Sequence, residues 1–283
     1  MKKLNLFTLL LIMVLIGINR AQSQTMSCCS SNTSQQFAML GNDPSFLSAH
    51  LAPLSFHYVP VNGKMVTFKT DDGKTGSAYE VKASNPTNKY VIMVHEWWGL
   101  NDYIKQEAEK LQGELGDVNV LAIDLYDGKV GDTPEKAGEI MKAMNEDRAH
   151  AIIRGAISYA GPKAKIQTIG WCFGGGWSLQ AALEAGRQSV GCVMYYGMPE
   201  TLQSKLRLLS GPVLGIFANK DKWITPAVVE QFKKDMKTAN KELILKQYDA
   251  DHAFANPSNP KYEKEMAEKA HTIAVMFIKS NFL

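Results

Sequence analysis

Apolar runs of strand length alternate with helix-like segments along most of this chain. Six such runs occupy residues 90–94, 118–123, 165–169, 190–195, 213–217 and 243–248. Near-continuous apolar strands separated by helices are typical of a mostly parallel, twisted sheet that helices cover on both faces. Residues 65–69 and 76–82, joined by the turn Asp71-Asp72-Gly73, predict an opening hairpin. The pattern therefore predicts one large α/β domain over residues 64–283.

The N-terminal segment has a different character from this domain. Residues 1–21 combine two lysines, a mostly apolar stretch over 4–18 and a polar end, which is the layout of a secretory signal peptide. We therefore expect a periplasmic or secreted protein, cleaved near Ala21, with no stable membrane insertion afterwards. A retained N-terminal anchor is the alternative, although the apolar stretch is short for a span of about 20 residues. Residues 22–63 are predicted to form a flexible lead-in.

The charge of the chain gives no indication of a nucleic-acid partner. The sequence has 31 Lys and Arg residues against 28 Asp and Glu residues, and three of the basic ones lie within residues 1–21. The remainder of the chain is therefore neutral, whereas nucleic-acid-binding domains carry a basic surface. We expect a small-molecule partner instead.

The turn after the third of the six apolar runs carries the most specific signal. It reads Gly170-Trp171-Cys172-Phe173-Gly174 and precedes a helical pattern, which is the Gly-x-nucleophile-x-Gly elbow with Cys as the nucleophile. A sulfur at a helix N-terminus is favoured as a thiolate by the helix dipole and free backbone N–H groups. The alternative is a buried cysteine in a glycine-rich phosphate-binding turn, but no Walker lysine and serine follow.

Two later turns supply an acid and a base in the chain order that elbow-bearing hydrolases use. Asp221 directly follows the strand that ends at residue 217, and His252 follows the strand that ends at residue 248. Asp249 and Asp251 are rival acids, but a carboxylate so close in sequence to His252 is poorly placed to orient its ring. The sequence therefore predicts a triad of Cys172, His252 and Asp221.

The loop after the first apolar run, residues 94–101, contains His95-Glu96-Trp97-Trp98-Gly99. It begins like the His-Glu-x-x-His zinc motif, but its fifth position is glycine, so we expect no metal there. In an elbow-bearing sheet this loop supplies the second oxyanion-hole donor. We therefore predict an oxyanion hole made by the backbone N–H groups of Trp97 and Phe173, with Glu96 close to the nucleophile.

The tryptophans cluster around these turns, which indicates an aromatic-walled cleft. All five lie in or beside them: Trp97, Trp98, Trp171, Trp177 and Trp223. Core packing is the alternative explanation, and it is the expected one for Trp177. The predicted substrate-pocket residues are Trp98, Tyr126, Trp223 and Phe254.

These motifs resemble the dienelactone hydrolase family, the carboxymethylenebutenolidases of the α/β-hydrolase fold, over residues 64–283. The resemblance rests on the loop at 95–101, Asp124-Leu125-Tyr126, the Cys172 elbow, Tyr195-Tyr196-Gly197, Asp221 and His252-Ala253-Phe254. It implies the Cys172, His252 and Asp221 triad. It also implies that Glu96 is an auxiliary residue that holds the thiol in the resting enzyme and is displaced when substrate binds.

The chain departs from the family at its substrate-binding arginines. The family enzymes place one arginine shortly after Asp-Leu-Tyr and another four residues after the catalytic His. This chain has Asp127-Gly128-Lys129 and Asn256 there. Lys129 or Lys222 is a candidate replacement for the lost charge. Export is a second departure, because the catabolic enzymes are cytoplasmic.

The sequence therefore predicts an exported thiol hydrolase of lactones or activated esters, with thioesters also within reach and no cofactor. One alternative is a hydrolase-fold protein that binds a ligand without turnover. A weaker one is redox pairing of Cys172 with Cys192, although Cys192 lies in an apolar run and is most simply a core residue. The adjacent Cys28 and Cys29 carry no structural prediction.

Overall fold

The structure is a computed structural model that describes residues 33–283. The predicted signal peptide and Cys28 and Cys29 lie outside the described residues. Eight strands form one sheet in the order β1-β2-β4-β3-β5-β6-β7-β8. Their bounds are β1 Lys64–Lys69, β2 Thr75–Val81, β3 Lys89–Val94, β4 Asn119–Ile123, β5 Lys165–Trp171, β6 Ser189–Tyr195, β7 Val213–Ala218 and β8 Leu243–Tyr248.

Helices connect the strands and also precede them. They are α1 Thr33–Met39, α2 Pro44–Ala49, α3 Asp102–Leu115, α4 Pro134–Ala143, α5 Glu146–Ala160, α6 Phe173–Ala185, α7 Gln203–Leu206, α8 Pro226–Thr238 and α9 Lys264–Asn281, with 3₁₀ turns at Leu40–Asn42 and Gly186–Gln188. Among residues 33–283, no helix is both long enough and apolar enough to cross a membrane.

The sheet has the mixed topology that the sequence predicts. Strands β1 and β2 form the opening antiparallel hairpin, and β2 pairs antiparallel with β4. The other neighbours, from β4 through β3 to β8, are parallel. Every residue of β4 is buried, because helices cover both faces of a sheet of this kind. The mostly parallel sheet expected from the alternating pattern is thus confirmed, as is the α/β-hydrolase fold that the family resemblance implies.

Side-chain caps explain where several helices begin. The side chain of Asn101 accepts a hydrogen bond from the backbone N–H of Ile104 at the start of α3, and Thr225 accepts one from Val228 at the start of α8. Such caps satisfy N–H groups that would otherwise lack partners. Helix α6 differs, because its N-cap residue is Cys172 and forms no side-chain cap.

The predicted flexible lead-in over residues 22–63 is wrong for residues 33–50, which form α1 and α2 and pack on the domain. Asp43 caps α2 ahead of Pro44, which is a sharp helix start. Phe46, on α2, is 0% exposed and contacts Trp97 and Trp223 edge to face. Burial of this aromatic side chain holds a segment that lacks the sustained periodicity of the other helices.

Residues 51–63 have no regular secondary structure but are attached along α3. The backbone N–H groups of Val61, Asn62 and Gly63 donate to the Glu109 carboxylate at 3.0 to 3.1 Å. The backbone N–H of Tyr58 donates to Asp102 at 3.0 Å. A carboxylate that accepts several backbone hydrogen bonds fixes the path of an irregular segment, so this stretch also departs from a free tether.

Candidate active site

Cys172 lies in a strained turn between β5 and α6. Its backbone has φ 57° and ψ −119°, a region that non-glycine residues rarely adopt. Glycine is required on both sides of Cys172 because neighbouring backbone atoms leave no space for a Cβ atom. A Cβ on Gly170 would lie 2.0 Å from the Gly174 carbonyl oxygen, and one on Gly174 would lie 2.3 Å from that of His95. The turn therefore holds the sulfur at the carboxyl edge of the sheet, beside the loop that follows β3.

The structure brings Cys172, His252 and Asp221 together. His252 Nε2 lies 3.3 Å from Cys172 Sγ, and His252 Nδ1 lies 2.6 Å from Asp221 Oδ2. An ionised carboxylate only accepts hydrogen bonds, so Nδ1 carries the proton and Nε2 presents its lone pair to the sulfur. This is the arrangement that a base needs to take a proton from a thiol.

Asp221 is held ionised in this buried position. Its Oδ1 accepts hydrogen bonds from the backbone N–H groups of Trp223 and Ile224, both at 2.9 Å. Burial opposes ionisation, but His252 and the hydrogen bonds outweigh it and lower the pKa of Asp221. The rival acids lie elsewhere: Asp249 pairs with Lys220 at 3.1 Å, and Asp251 is exposed.

The environment of Cys172 keeps its thiol neutral. The residue is 1% exposed, and burial raises its pKa well above the ordinary value. Glu96, when it is ionised, raises the pKa further, whereas the backbone N–H groups of Phe173 and Trp97 lower it. Those two N–H groups are the ones predicted for the oxyanion hole, and both interact with the sulfur as hydrogen-bond donors. The same donors can therefore interact with an oxyanion that forms beside it.

Glu96 does not have the partner that the family resemblance implies. Among the described residues it forms no hydrogen bond with Cys172, and its Oε2 instead accepts one from Asn256 Nδ2. Asn256 stands four residues after His252 and gives the carboxyl group a neutral partner. Burial raises the pKa of Glu96 to about 8. In this structure the thiol faces His252 at 3.3 Å, and the resting contact with Glu96 stays a prediction.

His50 is a site residue that sequence reasoning missed. It lies at the end of α2, is 5% exposed, and its ring centroid is 5.2 Å from that of His252. Its Nδ1 lies 2.7 Å from the Phe46 carbonyl oxygen, while its Nε2 is buried without a hydrogen-bond partner in the part of the chain that the structure describes. Burial and the nearby His252 lower the pKa of His50 to about 3. The available signal was the Asp43-Pro44 helix start, which puts residues 46 and 50 on one helical face.

The predicted substrate-pocket residues do not all line the same cavity. Trp98 lines a cavity of about 390 Å³ together with Glu96, Trp171 and Asn256. Trp223 lines a separate cavity of about 70 Å³.

The smaller cavity also includes His50, His252 and Lys222. Tyr126 and Lys129 lie on a third, open cavity with Arg148. Phe254 lines none of these three cavities; it is buried and contacts Tyr196, so its predicted pocket role is not supported by its position. Of the two candidate replacements for the family arginines, Lys222 is the one that lines the same cavity as His252.

Two further expectations concern residues in the core. Cys192 and Cys172 are both unpaired thiols, so the redox pairing does not occur in this structure. Cys192 is buried on β6, where its sulfur lies 3.7 Å from Ser178 Oγ. Trp177 is buried on α6 against Phe173 and His150, as expected for core packing.

Comparisons with known proteins agree with this fold and identify the family. A sequence profile described as the dienelactone hydrolase family matches residues 77–282. The protein usf of Aquifex pyrophilus is 30% identical over 232 residues, which cover 77% of this chain and 98% of that protein. The carboxymethylenebutenolidase of Pseudomonas sp. strain P51 is 29% identical over 225 residues, covering 74% and 92% of the two chains.

Solved structures give the same architecture. An esterase of Pyrococcus furiosus superposes with a TM-score of 0.62 at 17% identity and covers 83% of this chain and 98% of that one. A structural similarity at 17% identity shows a shared fold, whereas the profile match shows membership of the family. This chain is therefore a hydrolase of the dienelactone hydrolase family.

Proposed function

We propose that this protein is an exported hydrolase of lactones or activated esters that uses Cys172 as its nucleophile. The observation that carries the proposal is the alignment of three buried groups. Cys172 Sγ lies 3.3 Å from His252 Nε2, and Asp221 Oδ2 lies 2.6 Å from His252 Nδ1. A neutral thiol becomes a nucleophile when a positioned base takes its proton as it attacks.

The reaction has two halves. As Cys172 Sγ bonds to the carbonyl carbon, its proton passes to His252 Nε2, and the carbonyl oxygen becomes an anion held by the N–H groups of Trp97 and Phe173. Collapse of this intermediate breaks the bond to the alkoxide, which takes the proton from His252. Water then attacks the thioester with His252 as base, which releases the acid and restores the thiol.

The leaving group sets the substrate class. Lactone and phenolic oxygens depart with modest help from an acid, whereas an amine must be protonated as it leaves. Esters and lactones therefore suit a single neutral imidazole better than amides do. One relative is named carboxymethylenebutenolidase, and we place the substrate of this chain in the same broad class. Lys222, beside His252, is the candidate cation for a substrate carboxylate.

Hydrolysis of p-nitrophenyl acetate and of a small lactone panel tests the proposal. We expect turnover by the wild type and loss of turnover in Cys172→Ala. Cys192→Ala is the matched control, because Cys192 is an equally buried thiol outside the site. Equal hydrolysis by the wild type and Cys172→Ala would remove Cys172 from the reaction. Ligand binding without hydrolysis would favour the alternative of a non-catalytic binding protein.

Export is proposed on the N-terminal sequence alone. A lysine pair followed by an apolar stretch over residues 4–18 is the supporting feature. Cell fractionation and N-terminal sequencing of the mature protein test it. The proposal requires a periplasmic or secreted product that begins near residue 22, and an intact cytoplasmic chain would contradict it.

A further inference from the structure

Three buried side chains from separate parts of the chain converge at the candidate active site. Cys172 Sγ and one ring nitrogen from each of His252 and His50 all lie within 4.8 Å of one another. Two of these groups belong to the proposed triad, whereas His50 comes from the N-terminal segment that packs on the domain. The proposed hydrolysis does not use His50, so its burial beside the sulfur requires another explanation.

Both imidazoles are oriented in the same way. His252 Nδ1 is held by Asp221 Oδ2 at 2.6 Å, and His50 Nδ1 is held by the Phe46 carbonyl oxygen at 2.7 Å. Each oxygen accepts a hydrogen bond, so each Nδ1 carries the proton and each Nε2 has a free lone pair. Histidines that bind metals almost always have the other ring nitrogen fixed by a carboxylate or a backbone carbonyl.

The unpaired nitrogen of His50 points to a ligand. His50 is 5% exposed, and its Nε2 has no hydrogen-bond partner among residues 33–283. Buried polar atoms nearly always have a partner, and an exception is often explained by an ion or a ligand that binds there. The other two members of the cluster offer a sulfur and a second imidazole nitrogen, which are donors that zinc prefers.

We propose that Cys172, His252 and His50 form a binding site for a divalent ion of the zinc type. The ion would coordinate the nucleophilic sulfur of Cys172 and the basic nitrogen of His252, so its binding prevents hydrolysis. This inhibition rests on the proposed function, whereas metal binding itself does not. In a tetrahedral zinc site, neighbouring ligand atoms lie about 3.3 to 3.6 Å apart. Cys172 Sγ and His252 Nε2, 3.3 Å apart, already meet this spacing, and binding requires His50 to reach the same spacing from an observed limit of 4.8 Å.

The surroundings provide the remaining coordination position. A cavity of about 70 Å³ is lined by both His50 and His252, which is enough space for a water molecule as fourth ligand. When the ion binds, the S–H bond of Cys172 breaks, a sulfur–metal bond forms and the proton leaves to solvent. The neutral imidazoles donate their lone pairs without losing a proton.

Metal binding by the full chain tests the proposal directly. After treatment with EDTA and dialysis, the protein is titrated with Zn²⁺ in competition with a chromophoric chelator. Co²⁺ is then used as a spectroscopic probe for thiolate coordination. We expect one site per chain and a thiolate-to-cobalt absorption band that is absent in Cys172→Ala.

Variants of the N-terminal segment isolate the role of His50. His50→Gln should weaken Zn²⁺ binding by more than the roughly 10- to 100-fold typical of losing an outer-shell partner. His50→Cys, which restores a ligand atom, should recover much of the affinity. His57→Gln is the matched control, since His57 lies in the same segment but is exposed, and it should bind as the wild type does.

The outcomes separate the two proposals. Equal affinity of His50→Gln and the wild type, or no Zn²⁺ binding at all, would overturn the metal site. Binding that depends on His50 would support the site even if the metal-free protein hydrolyses none of the esters, and that result would count against the proposed function alone. Full hydrolysis at saturating Zn²⁺ would overturn the inhibitory role.

Discussion

The substitution Asp221→Asn makes the strongest demand on the proposed mechanism. Asp221 Oδ1 accepts two backbone hydrogen bonds, from Trp223 and Ile224, while Oδ2 faces His252 Nδ1 at 2.6 Å. In the asparagine variant the amide oxygen remains with the two backbone donors, so the NH₂ group must face the imidazole. That group donates to Nδ1 and moves the ring proton to Nε2.

As a consequence, two hydrogen-bond donors, the Nε2–H group of His252 and the S–H group of Cys172, face each other. A proton on His252 Nε2 points at the Cys172 thiol, 3.3 Å away, and the ring can no longer accept the thiol proton. In a serine protease, the same aspartate-to-asparagine change lowers kcat about 10⁴-fold through the wrong tautomer. A thiol gives up its proton more readily than a hydroxyl, so we expect a loss of about 10³-fold here. This corresponds to about 4 kcal/mol of activation free energy.

The assay is the rate of p-nitrophenyl acetate hydrolysis at saturating substrate, with folding checked by circular dichroism. Asp251→Asn serves as the control, because Asp251 is an exposed carboxylate next to His252 in sequence. The control should retain the wild-type rate. A rate for Asp221→Asn within tenfold of the wild type would refute the tautomer argument.

Three other predictions follow from burial and charge. Phe46→Ala should lower the free energy of unfolding by about 3 to 5 kcal/mol, measured by urea denaturation, whereas Leu54→Ala, at an exposed position, should change it little. The pKa of Glu96 rises from 4.5 to about 8. The folded protein therefore holds this proton more tightly than the unfolded chain, and the free energy of unfolding should fall as pH rises through that interval. Glu96→Gln should reduce this fall. The same pH dependence of stability in Glu96→Gln and the wild type would contradict the prediction. The raised pKa of Cys172 predicts slower alkylation by iodoacetamide at pH 7 than for free glutathione, and equal rates would count against a neutral thiol.

The sequence specified the sheet because each strand carries its own local signal. Apolar runs such as those at β7 and β8 are bounded by polar turns, and their predicted limits agree with the structure to within two residues. The elbow was recognisable for the same reason, since Gly170 and Gly174 are both required by local backbone approach. The placement of Asp221 and His252 followed from the rule that parallel strands end at one edge.

The features that the sequence did not reveal depend on contacts between distant residues. His50 and His252 are far apart in the chain, and the lead-in that carries His50 has no sustained periodicity from which packing could be inferred. The hydrogen bond between Asn256 and Glu96 is another case, because both residues lie in loops. The position of Asn256 suggested a lost substrate contact, and its observed partner is instead an acid.

Trapping of the acyl-enzyme tests the central claim most directly. The protein is mixed with p-nitrophenyl acetate, quenched in acid within the first turnovers, digested and examined by mass spectrometry. The account predicts one added acetyl group on the peptide that contains Cys172 and none on the peptide that contains Cys192. Turnover without an acetyl group on Cys172, or with the label on another residue, would contradict it.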